Sequence, residues 1–267
     1  MTVLGLAVKI RAMRILLTND DGINAEGIRV LAEELEKEFE VYVVAPDQER
    51  SASSHSITFR QPLWCQEVKP GWCAVSGTSV DCVNLAVNGI LKNRPNLVIS
   101  GINRGVNIGC DIFYSGTVAG AREAGILGLP AFAVSVEYVQ NQKIDYRPAA
   151  KFAAKFVHFV KQHNYANRII FNVNLPALPG EKIKGARFTR QGIRIYESKV
   201  LEREDPRGNK YYWLNGEACG GHQIPDSDIV AIQEGYISIT PLKLDFTDYE
   251  MLSELKKLDP EAVAEID

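Results

Sequence analysis

The sequence predicts an α/β protein built on an open, doubly wound and mostly parallel sheet. Two observations support this fold class. Segments of strand composition alternate along the chain with segments of helical periodicity, which is typical of βαβ units. The strand segments are also continuously apolar, which indicates a sheet that helices cover on both faces. The length of 267 residues fits one large domain.

The elements follow in a regular order. A strand at Arg14–Asn19 is followed by a helix and by a second strand at Val41–Ala45, which gives a right-handed βαβ start. Apolar residues recur at helical spacing in that first helix: Ile28, Leu31, Ala32, Leu35 and Phe39. Further strands are predicted at Trp72–Val75, Asn96–Ile102, Ala131–Val136, Arg168–Val173 and Tyr236–Ile239. Further helices are predicted at Val80–Leu91, Thr117–Leu127, around Ala149–Val160 and at Met251–Lys257.

Beyond about Gly180 the pattern changes. Two β segments, Arg187–Leu201 and Lys210–Leu214, flank the charged stretch Glu202–Asn209, which predicts a long hairpin arm. A two-stranded ribbon is marginally stable alone and gains stability by pairing. We therefore expect the arm, Gln191–Asn215, to be an association element.

Composition excludes several classes of protein. The formal net charge of -3 argues against a nucleic-acid-binding surface, and no apolar run approaches the length of a membrane span. Five cysteines without a C-x-x-C pair argue against a disulfide framework or a thiolate zinc site. We expect a cytoplasmic protein, with residues 1–12 as an N-terminal extension that is not an export signal.

The loops after three predicted strands carry the chemistry. In an open α/β sheet, ligands bind beyond the carboxyl ends of the strands, near the switch in strand order. Adjacent Asp20 and Asp21 follow the first strand, and two clustered carboxylates favour a divalent cation such as Mg²⁺, Mn²⁺ or Ca²⁺. The alternative is that one of these acids caps the helix that starts near Ala25.

A second feature lies in Asp111–Glu123, where Ser115, Gly116 and Thr117 precede a helix of small residues. Free N–H groups at a helix start bind anions such as phosphate, although this feature alone favours an ordinary N-cap role for Ser115. Neither a P-loop nor a dinucleotide-binding glycine motif occurs. A cation facing an anion-binding helix start is suited to phosphoryl chemistry.

Five segments together resemble the SurE family of metal-dependent 5′/3′-nucleotidases. They are TNDDGINAEGIRVL, VVAPDQERSASSHSIT, GTSVDCVNLA, the long segment Pro95–Ser135 and DSDIVAIQEGYISITPL. The resemblance implies a Rossmann-like core with a C-terminal part used for association into dimers or tetramers. It implies hydrolysis of nucleoside monophosphates, and of polyphosphate ends in some members. We accordingly expect a Rossmann-like catalytic core at 13–180 and a C-terminal extension at 181–267, within one integrated domain.

The resemblance also implies a ligand set. Matched motif by motif, the metal ligands fall on Asp20, Asp21, Ser51 and Asn103. We expect one Mg²⁺ or Mn²⁺ per subunit and attack by a metal-activated water, with Asp20 and Asp21 as the catalytic residues. The phosphate is expected at four further residues, Asn107, Ser115, Gly116 and Thr117.

Several alternatives stay open at this point. Asp20 could act as a covalent nucleophile instead, and His55 could contact phosphate or transfer a proton, although a plain loop role is favoured. The chain could also be a broader phosphatase or exopolyphosphatase, or a nucleotide-sensing module without turnover. Ala52 and Ser79 depart from the family pattern, which usually has Gly and Pro there, and neither change removes a ligand.

Overall fold

The structure, a computed structural model, describes residues 13–163 and 169–258. The predicted extension 1–12, the first residue of the strand predicted at Arg168–Val173 and the last nine residues of the predicted segment 181–267 lie outside the described residues. The strands are β1 (Arg14–Thr18), β2 (Glu40–Pro46), β3 (Cys65–Lys69), β4 (Trp72–Val75), β5 (Leu97–Arg104), β6 (Ala131–Val136), β7 (Ile170–Leu175), β8 (Ala186–Phe188), β9 (Arg194–Glu204), β10 (Lys210–Gly221) and β11 (Ile237–Leu242). The helices are α1 (Glu26–Leu35), α2 (Ser79–Leu85), α3 (Gly116–Ile126), α4 (Arg147–Gln162), α5 (Asp228–Gln233) and α6 (Tyr249–Leu255).

Nine strands form one sheet in the order β3-β4-β2-β1-β5-β6-β7-β11-β8. The strands from β4 to β7 are parallel, while β3 and β11 run antiparallel to their neighbours β4 and β7. The chain moves from β1 to β2 on one side and later returns to place β5 on the other side of β1. The switch in strand order therefore lies between β1 and β5, as the predicted α/β class requires.

Helices cover both faces of the sheet. Ile15 and Leu17 of β1 belong to the hydrophobic cluster that contains α1 and α4, whereas Leu16 belongs to the cluster that contains α2 and α3. All three side chains are fully buried, which explains why three consecutive residues of the strand are apolar. Among the described helices, none is long and apolar enough to cross a membrane.

The hairpin arm is present, but the prediction that Arg187–Leu201 is one strand is wrong. The chain leaves the main sheet after β8 and re-forms as β9, which pairs only with β10 in a separate antiparallel ribbon. The break has a physical cause at Gly192, whose N–H donates to Asp228 Oδ1 at 2.8 Å and whose Cβ, if present, would lie 2.8 Å from the same oxygen.

Candidate metal and phosphate site

The loops that follow β1, β2 and β5 meet at one edge of the sheet. The backbone N–H of Arg50, after β2, donates to the carbonyl oxygen of Asp20 at 2.7 Å. The backbone N–H of Arg104, the last residue of β5, donates to Asp21 Oδ2 at 3.2 Å. These contacts place the adjacent acids at the switch point, between the two neighbouring loops.

The two carboxylates lie in different surroundings. Asp20 is 5% exposed, and burial raises its pKa even though the Thr117 hydroxyl donates to its Oδ1. Asp21 is half-buried, and burial followed by the charge of Asp20 raises its pKa to about 6. Over residues 13–163 and 169–258, no basic side chain forms an ion pair with either acid. A cation would stabilise their charged forms.

The alternative in which one of these acids caps the first helix is wrong. Helix α1 begins at Glu26, and its N-cap residue is Ala25, at which no side chain caps the helix. The two acids therefore have no part in starting that helix.

Ser51 and Asn103 lie in the adjoining loops. Ser51 is exposed, and its hydroxyl donates to Glu49 Oε1 at 2.6 Å. The Asn103 Nδ2 donates to the Gly105 carbonyl at 2.8 Å, which leaves the amide Oδ1 as the atom that can accept or ligate. No hydrogen bond among the described residues joins these side chains to the acids, so their shared role stays a prediction.

The start of α3 lies directly against Asp20. A Cβ added to Gly116 would lie 2.8 Å from both Cβ and Oδ2 of Asp20, so a larger residue would displace the acid. Ser115 caps the helix by accepting from the Val118 N–H at 3.1 Å, as the N-cap alternative proposed. Its hydroxyl proton is still available to an acceptor. Phosphate binding at Ser115, Gly116 and Thr117 stays a prediction.

Asn107 belongs to a buried polar network. Its Nδ2 donates to Ser135 Oγ at 2.8 Å, and its backbone N–H donates to Asn174 Oδ1 at 2.8 Å. Its carbonyl accepts from Asn172 Nδ2 at 2.7 Å. These bonds fix the loop after β5, and they leave one Nδ2 hydrogen for the predicted phosphate contact.

Two polar groups beside the acids were missed by the sequence prediction. The charge of Glu49 contributes to the raised pKa of Asp20 and of Asp21. The Ser53 hydroxyl is buried and finds no hydrogen-bond partner among the described residues, and a Cβ at Gly116 would lie 2.8 Å from it. Both residues lie in the predicted loop after β2, but only the folded loop shows which of its side chains turn towards the acids.

His55 joins that loop to α3. Its Nε2 lies 3.0 Å from Oε2 of the buried Glu123, which also accepts from Asn84 Nδ2 at 2.8 Å. Burial raises the pKa of Glu123, but the two hydrogen bonds and the charge of His55 outweigh it and leave the pKa below its ordinary value. The contact favours the structural role for His55.

The two departures from the family pattern have visible consequences. Ser79 is the first residue of α2, and its hydroxyl donates to the Gly116 carbonyl at 2.5 Å, a bond that proline would lack. Thr78 and Asp81 form a capping box there, which starts the helix without proline. Ala52 has a φ of +55°, a conformation that glycine adopts more easily.

Comparison with known proteins identifies the family. A model of the family "Survival protein SurE" matches residues 15–198, which is more than half of the chain. The chain belongs to the SurE family. It is 46% identical over 247 residues to the 5′-nucleotidase SurE of Geobacter metallireducens, with 92% of this chain and 98% of that protein covered. It is 49% identical over 250 residues to the 5′-nucleotidase SurE of Symbiobacterium thermophilum, with 91% and 97% covered.

A solved SurE structure has the same fold. The crystal structure of the SurE protein from Aquifex aeolicus matches with a TM-score of 0.81 and 41% identity, covering 91% of this chain and 98% of that one. The predicted fold class and the predicted SurE resemblance are both confirmed. In the described part of this SurE family member, no group of three or more His, Cys, Asp or Glu side chains is placed to hold a metal ion together. A cation at Asp20 and Asp21 would therefore also use hydroxyl, amide or water oxygens.

Proposed function

We propose that this chain is a 5′-nucleotidase, which hydrolyses nucleoside 5′-monophosphates to nucleoside and phosphate. The observation that carries the proposal is the acid pair Asp20 and Asp21 at the switch point, with the start of α3 packed against Asp20. The SurE relatives that cover nearly the whole chain are named 5′-nucleotidases, which supports this activity.

The SurE family is metal-dependent, and the donors at this site fit a hard divalent cation. Both acid pKa values are raised by burial, and oxygen atoms are the available donors. We propose that Asp20, Asp21, Ser51 and Asn103 would hold one Mg²⁺ or Mn²⁺. Such an ion would polarise a phosphoryl oxygen and lower the pKa of water.

Residues of the chain would bind the phosphate, position Asp20 and accept the proton of the attacking water. The N–H groups at the start of α3, with the hydroxyl of Ser115 and with Asn107, bind and orient the phosphate. Thr117 also fixes the Asp20 carboxylate through its hydrogen bond to Oδ1. Asp21 is the better acceptor for the proton of the attacking water, because it is less buried and its Oδ1 accepts no hydrogen bond within the described part of the chain.

Phosphate release from AMP and GMP, measured with and without Mn²⁺, tests the activity. We expect release that depends on the ion, and loss of most turnover in Asp21→Asn with AMP or p-nitrophenyl phosphate. The exposed Asp145→Asn variant serves as a matched control and is expected to behave like wild type. Protein that binds AMP and never releases phosphate would instead be a nucleotide-sensing module.

The chemical role of Asp20 has its own test. In our proposal water attacks phosphorus directly, so no phosphate becomes bonded to the protein. Rapid quenching during turnover, followed by mass analysis of the peptide that contains Asp20, should find no phosphorylated species. A phosphorylated Asp20 would overturn the water mechanism in favour of a covalent one.

We also propose that the β9–β10 ribbon associates subunits into a dimer or tetramer. The ribbon forms its own sheet and exposes large apolar side chains, among them Val200, Trp213 and Leu214. A patch of this kind is typical of an interface. Deleting Glu197–Tyr211 should lower the mass measured by light scattering, and an unchanged mass would reject the proposal.

The remaining proposals concern organisation and location. Strands β8 and β11 of the segment 181–267 complete the main sheet next to β7, which supports one integrated domain that comprises the core 13–180 and this extension. Cys65, Cys73, Cys82 and Cys110 are free thiols, which supports a reducing cytoplasm. Fractionation of the cells that make the protein would test the location.

A further inference from the structure

A cavity opens beside the acid pair. It has a volume of about 400 Å³ and lies under the loop that follows β6. Its walls include one residue that also contacts the site, since the backbone N–H of Arg104 donates to Asp21 Oδ2. The proposed catalytic groups do not use this cavity. Its main lining residues are Glu26, Arg104, Tyr138, Asn141, Lys143 and Tyr146.

Arg104 and Tyr138 form a flat, accessible surface in this cavity. The guanidinium carbon of Arg104 lies 4.2 Å from the centroid of the Tyr138 ring. Tyr138 is 42% exposed, and Arg104 forms no ion pair within the described part of the chain. A cation stacked on an exposed ring, without an ion-pair partner among the described residues, leaves both groups open to a ligand.

We propose that the Arg104–Tyr138 pair is the platform on which the base of a nucleotide substrate stacks. The proposal rests on the nucleotidase function, because the phosphate at the acid pair fixes one end of the substrate next to this cavity. Nucleobases stack on aromatic rings and on guanidinium planes, and this stacking does not depend on which base is bound. The amides of Asn141 and Gln142 line the same cavity and offer donors and acceptors to the base edge or the sugar hydroxyls.

The charges of the lining favour a base over a polyphosphate tail. Arg104 and Lys143 are positive, but Glu26 lines the same cavity and offsets part of their charge. The lining is therefore not uniformly positive, as a site built for a polyanion would be, and a neutral base is indifferent to the Glu26 carboxylate. Tyr138 also lies just beyond the motif segment that ends at Ser135, so the ring is separate from the residues that the phosphoryl chemistry needs.

The test compares a substrate that has a base with one that lacks it. The quantity measured is kcat/KM for AMP divided by kcat/KM for ribose 5-phosphate. In Tyr138→Ala this ratio should fall about tenfold, through a higher KM for AMP, which is the usual effect of losing one stacking ring. Tyr138→Phe retains the ring and should restore the ratio. An unchanged ratio in Tyr138→Ala, or no rescue by Tyr138→Phe, would overturn the proposal.

Two further arms separate this proposal from its alternatives. Calorimetric titration with adenosine, in chelator and without metal, measures base binding without catalysis. If the wild-type protein hydrolyses no ester, the nucleotidase proposal fails. The titration still tests base stacking in that case, because adenosine binding that is lost in Tyr138→Ala would support the platform and binding that is retained would overturn it. If Arg104→Ala instead lowers hydrolysis of tripolyphosphate more than that of AMP, the cavity is a polyanion subsite and the base platform is wrong.

Discussion

Replacing Asp21 with asparagine removes one carboxylate charge at the switch point and keeps the size of the side chain. In metal-free protein the pKa of Asp21 lies at about 6, raised from an ordinary value of 3.8 by burial and by Asp20. At neutral pH, Asp21 is therefore ionised in the folded protein, and its carboxylate has a higher free energy there than in the unfolded chain. The difference corresponds to about 3 kcal/mol, and we expect roughly 2 kcal/mol because solvent reaches part of the side chain.

The sign of the pH dependence follows from proton binding. Between pH 3.8 and about 6 the folded carboxyl keeps a proton that the unfolded chain has lost, so the free energy of unfolding of the wild type falls as the pH rises. Asp21→Asn lacks this loss. The free energy of unfolding of the variant should equal that of the wild type at pH 4. It should exceed the wild-type value by the full difference above pH 6, as measured by urea unfolding in chelator.

Asp145 provides the matched control. The hydrogen bond from Arg147 lowers the pKa of that exposed carboxyl, so Asp145→Asn should show a small effect of the opposite sign. Saturating Mn²⁺ should then stabilise the wild type, by about 2.7 kcal/mol at a concentration of 100 times Kd, and should stabilise Asp21→Asn much less. A metal-free Asp21→Asn that is no more stable than wild type at pH 8 would refute the electrostatic reasoning.

Three further predictions test the packing around the site. Gly116→Ala pushes a methyl group into Asp20, so turnover should fall at least tenfold and stability by about 1–3 kcal/mol; normal turnover would contradict the close packing. Thr117→Val removes the hydroxyl that donates to Asp20, so Mn²⁺ binding measured by calorimetry should weaken about tenfold at pH 6. Phe132→Ala empties a fully buried position whose ring meets Phe156 edge-on at 5.1 Å between centroids, which should reduce the free energy of unfolding by about 3–5 kcal/mol and leave the turnover of folded protein unchanged.

The central strands could be predicted because their signal is local. β1 and β6 are buried at nearly every position, so most of their residues are apolar and the strands stand out in the sequence. β3 was missed because all five of its residues are exposed and carry no apolar pattern. Its position as an antiparallel edge strand is set by pairing with β4, which the sequence does not display.

The short helix α5 was missed for a related reason. Its six residues are too few for helical periodicity to be visible. The helix begins at Asp228, whose side chain accepts from the N–H groups of Gly109 and Gly192 at 2.9 and 2.8 Å. These partners lie 119 and 36 residues away, so no local pattern in the sequence points to them.

The candidate site was predictable as a set of loops, because any doubly wound sheet brings the carboxyl ends of its central strands together. The loops could not show which side chains turn inward. Ser53 and Glu49 are as polar as their neighbours in the sequence, and only the fold places them beside Asp20. The choice of Ser51 as a ligand came from the family resemblance, because no local feature separates it from the other polar residues of its loop.

The glycines of α3 explain how the start of this helix, where we propose that the phosphate binds, can lie against a buried acid. A Cβ at Gly120 would lie 2.9 Å from Ser100 Oγ and 3.0 Å from Thr18 Cγ2, so the helix packs on β1 and β5 at backbone distance. This approach continues to Gly116, which touches Asp20. In our proposal, the positive end of the helix then stabilises the charge of the phosphate, while a cation held by the acid pair would prevent the carboxylates from repelling it. Without this close approach, one phosphate could not contact the start of the helix and the ion at the same time.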